Sequence, residues 1–235
     1  MRIHCIKHVP FEGPARIEEW ALEKGHDFAV TEIFRTETWP EQHMFDWLVV
    51  MGGPMGVYDE AEYSWLSQEK KFLDASIKAD KVILGVCFGA QILAHCMGAE
   101  VRKNIVKEIG WYPVSLTPPG WDSPIFGKMP ATFEAFHWHS DMFEIPRGAV
   151  HIASSHACPN QAFAYENRIF GLQFHLESTP ESIEILVKNC GNELEEEGDH
   201  IQDPDFILNP DRGFDQIKTN LHILMDAIAE HSGPR

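Results

Sequence analysis

The stretch Lys81-Val-Ile-Leu-Gly-Val-Cys-Phe-Gly-Ala-Gln-Ile-Leu-Ala-His95 constrains the fold more than any other part of the chain. An apolar run, Lys81–Val86, reaches a cysteine flanked by Gly85 and Gly89, and a helical pattern, Phe88–Met97, follows at once and closes at Gly98. A second wholly apolar run, Trp47–Met51, ends at Gly52-Gly53-Pro54. Strands that are apolar throughout, with helices between them, indicate parallel pairing in a sheet covered on both faces. Arg2–Ile6 and Phe28–Phe34 read as further strands, and Pro14–Lys24 and Tyr63–Ala79 as the helices between, with Gly25 closing the first. The middle of the chain changes character. Val101–Leu116, Glu134–His139, Val150–Ser155 and Ile169–Phe174 are strand-like with short polar breaks, which suits antiparallel additions. Helical patterning returns at Pro180–Cys190 and Phe214–His231. The expected architecture is α/β: an open, mostly parallel sheet flanked by helices, with antiparallel strands added.

No repeat, low-complexity segment or Ser/Gly linker divides the 235 residues, so one domain is expected over 1–235, with a helical extension from about 192 to 235. The acid-rich piece Asn192–Asp205 reads as a solvated loop or helix face. The formal net charge of −17 argues against nucleic acid and anionic lipid as partners, because both are bound by Lys and Arg neutralising phosphate. The longest stretch free of charge and strong polarity, Val82–Ala90, is far too short to span a bilayer, and the amino-terminal residues show no apolar signal-peptide core. Five cysteines, Cys5, Cys87, Cys96, Cys158 and Cys190, form neither pairs nor a zinc pattern, which suits a reducing cytoplasm.

Cys87 stands where strand becomes helix, the geometry of a nucleophile elbow with Cys in place of Ser. The turn presents sulfur at the carboxyl end of the sheet, where open α/β sheets bind ligands. The helix N-terminus behind it favours thiolate. An ordinary buried cysteine on a strand-to-helix connection reads the same way from this segment alone. Cys96 is spaced like its apolar helix neighbours and reads as packing. A nucleophilic cysteine needs a base, and the base needs an orienter. His175 and Glu177, in Phe170-Gly-Leu-Gln-Phe-His-Leu-Glu-Ser178, follow a strand at a spacing that puts both side chains on one face of extended chain.

Gly-Val-Cys-Phe-Gly-Ala-Gln around Cys87, the Gly52-Gly53-Pro54 turn and Gln173-Phe-His-Leu-Glu177 occur in the order found in class I (triad) glutamine amidotransferases. From about Trp47 to Ser178 the chain resembles that family, and it is similar to the glutaminase domain of GMP synthase and to γ-glutamyl peptidases. The resemblance implies a flavodoxin-like sheet, Cys87 as nucleophile, His175 as base and acid, and Glu177 as orienter of His175. It implies an oxyanion hole from the backbone N–H groups of Gly53 and Phe88, and a substrate contact at Gln91. His137-Trp-His-Ser-Asp141 matches the segment that binds the α-groups of glutamine, with Ser140 and Asp141 at the contacting positions. Two positions depart from the pattern: Ser140 where many relatives have glycine, and Leu176 where many have proline.

The implied activity is hydrolysis of the γ-carboxamide of glutamine, or of a γ-glutamyl bond, through a glutamyl thioester and without a cofactor. The alternatives are a γ-glutamyl peptidase or a catalytically idle module that kept the fold. No ATP-pyrophosphatase loop of the Ser-Gly-Gly-x-Asp-Ser type is present, so ammonia would pass to a separate synthetase subunit if to any. His137 and His139 alternate as strand neighbours do, but with no third ligand at a recognisable spacing no metal is expected. Gly120–Lys128 reads as a loop, not a phosphate cradle, because its spacing is wrong and Met129 stands where Ser or Thr is needed, and Trp121 and Phe126 are expected to pack.

Overall fold

The computed structural model describes residues 1–36 and 38–231, so residues 232–235 of the expected extension lie outside the described residues. The strands are β1 (Arg2–Lys7), β2 (Asp27–Glu32), β3 (Trp47–Val50), β4 (Val82–Val86), β5 (Val101–Leu116), β6 (Thr132–Phe143), β7 (Val150–Ser154), β8 (Ala162–Tyr165) and β9 (Ile169–Leu172). The helices are α1 (Arg16–Glu23), α2 (Leu66–Lys78), α3 (Phe88–Cys96), α4 (Pro118–Trp121), α5 (Pro180–Cys190), α6 (Pro204–Ile207) and α7 (Phe214–His231). The strands form one sheet in the order β2-β1-β3-β4-β9-β8-β7-β5-β6. Pairing from β2 through β9 is parallel, and from β9 to β6 it is antiparallel.

The two halves follow from the side chains. β3 and β4 are buried at every residue, and each leads to a helix that covers the sheet, whereas β5 and β6 form a long hairpin with partly exposed faces. The core divides into two clusters of buried side chains. One holds Val49, Leu84, Trp111 and Phe170 under α1, α5 and α7; the other holds Val50, Ile83, Leu73 and Phe163 under α2 and α3. Helix α7 contributes Ile217, Leu221, Leu224 and Ile228 to the first cluster. Trp20 stacks on Trp47 there, with ring centres 5.9 Å apart, and its indole N–H donates to Asp226 of α7.

One strand carries no signal of its own in the sequence: β8, only four residues long with polar neighbours, bridges β7 and β9 in the sheet centre. Two expectations need correction. Trp121 does not pack; it is 55% exposed, while Phe126 is buried as expected. The acid-rich segment is not merely solvated. Its far end docks on β5, with Ile109 N–H donating to the His200 carbonyl and Gln202 N–H to the Ile109 carbonyl. No helix among the described residues is long and apolar enough to cross a membrane.

Candidate functional site

Strand order reverses between β1 and β3, and the carboxyl ends of β1, β3 and β4 bring His8, Gly52-Gly53 and Cys87 to one edge of the sheet. That is where open α/β sheets place their ligand crevice. A cleft of about 370 Å³ lies there, lined among others by Glu12, Gly53, Cys87, Trp138, His175 and Glu193. Its volume is ordinary for a small-molecule site.

Cys87 caps α3 with φ 53° and ψ −111°, a conformation that costs a side-chain-bearing residue strain and aims its sulfur out of the sheet edge. The flanking glycines answer a need for space. A Cβ on Gly89 would strike the Val50 carbonyl of β3, and one on Gly85 would strike the Gly89 carbonyl. The Cys87 N–H donates to the Leu172 carbonyl at 2.7 Å, which ties the elbow to β9.

His175 lies just beyond β9 and is clamped to β6 by backbone bonds in both directions with Phe136, at 2.8 and 3.3 Å. Its Nδ1 is 2.6 Å from Glu177 Oε1, which leaves Nε2 for the cleft it shares with Cys87, whose thiol donates to the Trp138 carbonyl at 3.6 Å. The Glu177 backbone is held by α1, where Arg16 N–H donates to the Glu177 carbonyl at 3.1 Å. Burial opposes charge on His175, but Glu177 and the thiol outweigh it and hold the imidazole well above its ordinary pKa. Burial pushes the Cys87 thiol up, while His175 and the Phe88 N–H pull against that shift. The helix N-terminus acts in the expected direction, and burial outweighs it. Cys5, deep in β1, is fully inaccessible and burial raises its thiol far above the ordinary value, so it offers no nucleophile.

The other expected residues are gathered at the same edge. The Gly53 N–H is taken by no acceptor among the described residues, and the Phe88 N–H opens α3 beside Cys87, where it favours the thiolate. Gln91 lines the cleft, but its amide N–H groups already donate to the Asp141 carbonyl at 3.3 Å and to Gln173 Oε1 at 3.1 Å. Since a carbonyl only accepts, this fixes both amides, and Gln173 Nε2 is left to donate to Cys87 Sγ at 3.7 Å. Ser140 and Asp141 lie at the cleft mouth, where Lys103 Nζ bonds Ser140 Oγ at 3.3 Å and pairs with Asp141 Oδ1 at 2.8 Å.

Several residues of the site carried no recognisable spacing. Glu193 of the acidic segment walls the cleft; it accepts from Trp138 Nε1 at 3.1 Å and pairs with Lys107 at 2.9 Å. Half-buried Glu12 faces the sulfur over Gly52, and burial holds its carboxyl up at about 6. His137 and His139 do acquire a third ligand-type neighbour, Glu108 of β5. Glu108 accepts from His139 Nε2 at 3.1 Å, Gln161 Nε2 at 2.7 Å and Ser155 Oγ at 2.9 Å, so hydrogen bonds satisfy this carboxylate. Burial holds His137 down at about 4; Glu108 is held at about 2 against its own burial by the two imidazoles.

Comparison with known proteins places this geometry. Residues 20–190 match the family model described as glutamine amidotransferase class-I. The glutamine amidotransferase-like protein YfeJ of Salmonella typhimurium is 32% identical over 198 residues, which is 83% of each chain. GMP synthase [glutamine-hydrolyzing] of Bacillus subtilis is 32% identical over 134 residues, 55% of this chain but 24% of that enzyme, so the match spans about a quarter of it. Among solved structures, a glutamine amidotransferase from Thermotoga maritima superposes with a TM-score of 0.88 at 30% identity, covering 98% of each chain. The structure of SMU.1228c does so with 0.91 at 30% identity, over 97% of this chain and 100% of that one. The chain belongs to the class I glutamine amidotransferases.

Proposed function

We propose that this protein is a cysteine amidohydrolase that converts glutamine and water to glutamate and ammonia through a glutamyl thioester on Cys87. The observation that carries this reading is His175 held between Glu177, at 2.6 Å, and the Cys87 thiol in one cleft. His175 takes the thiol proton as sulfur adds to the γ-carbonyl carbon, and the carbonyl oxygen becomes an oxyanion facing the N–H groups of Gly53 and Phe88. When the intermediate collapses, the C–N bond breaks and His175 returns the proton to the departing nitrogen. It then deprotonates a water that adds to the thioester, and the sulfur leaves as glutamate forms. Glu177 keeps the imidazole oriented and supports its charge. Ser140 and Asp141 serve the α-groups; with its N–H donors engaged, Gln91 offers them its carbonyl oxygen.

The leaving group must lie against His175, and the wall there is formed by Glu12, Leu186, Cys190 and Glu193. Carboxylates on that side suit ammonia and neutral or cationic amines, and they oppose the free carboxylate of a γ-glutamyl amino acid. This favours glutamine over γ-glutamyl peptides, while the volume of the cleft leaves room for a larger amine. Kinship with GMP synthases supports a separate synthetase subunit as the ammonia acceptor, and the five free cysteines support a reducing, cytoplasmic setting. We take residues 192–235 as part of the same single domain. Steady-state glutamate release from glutamine and from γ-glutamyl peptides tests the reading, with Cys87→Ala as the blank. Release without ATP, metal or a second subunit is expected, and equal rates in the Cys87→Ala variant would refute it.

A further inference from the structure

The mechanism above leaves one buried ion pair unused. His8, just past β1, and Glu69 of α2 are both fully inaccessible, with His8 Nε2 2.7 Å from Glu69 Oε1. Neither lines the cleft. The other ring nitrogen, Nδ1, lies 3.1 Å from the Gly52 carbonyl oxygen. A carbonyl oxygen only accepts, so Nδ1 carries a proton, and Nε2, facing a carboxylate, carries another. Burial alone would lower the pKa of His8, but the Glu69 carboxylate outweighs it and the net shift is upward. The ring packs against Trp65, with centres 5.5 Å apart, and lies at 82° to the ring of Phe88, with centres 4.9 Å apart.

The Gly52 carbonyl and the Gly53 N–H belong to one planar peptide unit, and no peptide among the described residues is cis. In a trans peptide these two groups point in opposite directions. Holding the carbonyl toward His8 therefore turns the Gly53 N–H away from it, toward the cleft that Gly53 lines. Cys87 stands on that side: a Cβ on Gly52 would come within 3.5 Å of Cys87 Cβ, whereas one on Gly53 would come within 3.3 Å of His8 Cβ. Two adjacent glycines have no side chain to resist rotation of the peptide between them. Something else must hold it.

We propose that His8 and Glu69 are positioning residues for the oxyanion hole: His8 Nδ1–H locks the Gly52–Gly53 peptide so that the Gly53 N–H meets the developing oxyanion, and Glu69 keeps His8 doubly protonated. The inference rests on the reading of Cys87 as nucleophile given above. It assigns the pair to a step in which charge develops on the substrate oxygen, and not to ionisation of the thiol.

Two variants and two readouts test it. His8→Leu with Glu69→Leu removes both charges together, which avoids leaving one buried and unpaired. Glu69→Gln keeps a partner for Nε2 and leaves Nδ1–H donating, now from a neutral ring. The readouts are kcat and KM for glutamine, and the rate of iodoacetamide alkylation of Cys87 read by peptide mass. Alkylation displaces iodide at a saturated carbon and forms no oxyanion. The double variant is expected to lose about 10- to 100-fold in kcat, somewhat less than outright removal of an oxyanion donor, with little change in KM or alkylation. Glu69→Gln is expected to lose several-fold in kcat, and it carries the test if the double variant does not fold. Wild-type kcat in either folded variant overturns the inference, as does a parallel fall in alkylation and kcat. A wild-type protein that is alkylated at Cys87 yet releases no glutamate refutes the proposed function itself, and the inference falls with it.

Discussion

Replacing Cys87 with glycine should leave a more stable protein than replacing it with alanine, the reverse of the usual order. At φ 53° and ψ −111° any residue with a Cβ is strained, at a cost of about 1–3 kcal/mol. Both substitutions delete the sulfur, so its lost contacts cancel in the comparison. Glycine relieves the strain but adds unfolded-state freedom, which costs roughly 0.5–1 kcal/mol. The difference favours Cys87→Gly by about 1 kcal/mol, or ~2–4 °C in Tm for a chain of this size. Ala15, the cap of α1, has nearly the same geometry at φ 41° and ψ −115°, and it is remote from the sulfur in role. Ala15→Gly should therefore stabilise the active protein by a similar amount and supplies an internal control. Thermal and urea unfolding of the three variants would decide the matter. If Cys87→Gly proved less stable than Cys87→Ala while Ala15→Gly gained stability, the elbow would carry no strain and its geometry would need another cause.

His175→Ala should cost more turnover than Glu177→Gln, because the first removes proton transfer and the second leaves an imidazole poorly held; kcat of the two variants checks this, and equal, small losses would move the base elsewhere. Gly53→Pro should lower kcat by a factor of about 10²–10³ by deleting an oxyanion donor, whereas Gly53→Ala keeps the N–H and presses its Cβ first on the flexible Met55 thioether, so its loss should be chiefly in stability. Glu12→Gln should stabilise the protein at neutral pH. The folded state binds the Glu12 proton up to about pH 6 against an ordinary value of 4.5, so stability falls as pH rises through that window; the gain is about 2 kcal/mol above pH 6 and vanishes below 4.5, as unfolding at several pH values would show.

The elbow was legible in sequence because its parts are local. Gly85, Cys87 and Gly89 lie within one strand-to-helix turn, and the apolar runs around them could only be buried strand and helix. His175 and Glu177 were legible for the same reason: two residues of extended chain bring their side chains into contact. Glu12, His8 and Glu193 were not, since they reach the site through packing of segments far apart in the chain. The Glu108 neighbour of His137 and His139 was hidden too, because a register irregularity between Lys103 and Glu108 sets which β5 residues face β6. One signal was available for His8. It follows the carboxyl end of β1, beside the strand-order reversal, where ligand sites of open sheets form.

Three imidazoles in or beside this cleft each hydrogen-bond a carboxylate, and their second partners give them different work. His8 lies between Glu69 and the Gly52 carbonyl, His139 between Glu108 and the Asp141 carbonyl, and His175 between Glu177 and the Cys87 thiol. A carbonyl cannot give or take a proton under these conditions, so the first two rings can only fix the peptide they touch: the Gly52–Gly53 unit in one case, the Asp141 backbone in the other. The third ring alone faces a group that ionises. In the proposed mechanism, proton transfer to and from the substrate therefore falls to His175, although all three rings sit beside a carboxylate. The carboxylate supplies a common means of holding an imidazole in place, and the atom on its far side decides whether that imidazole is a brace or a base.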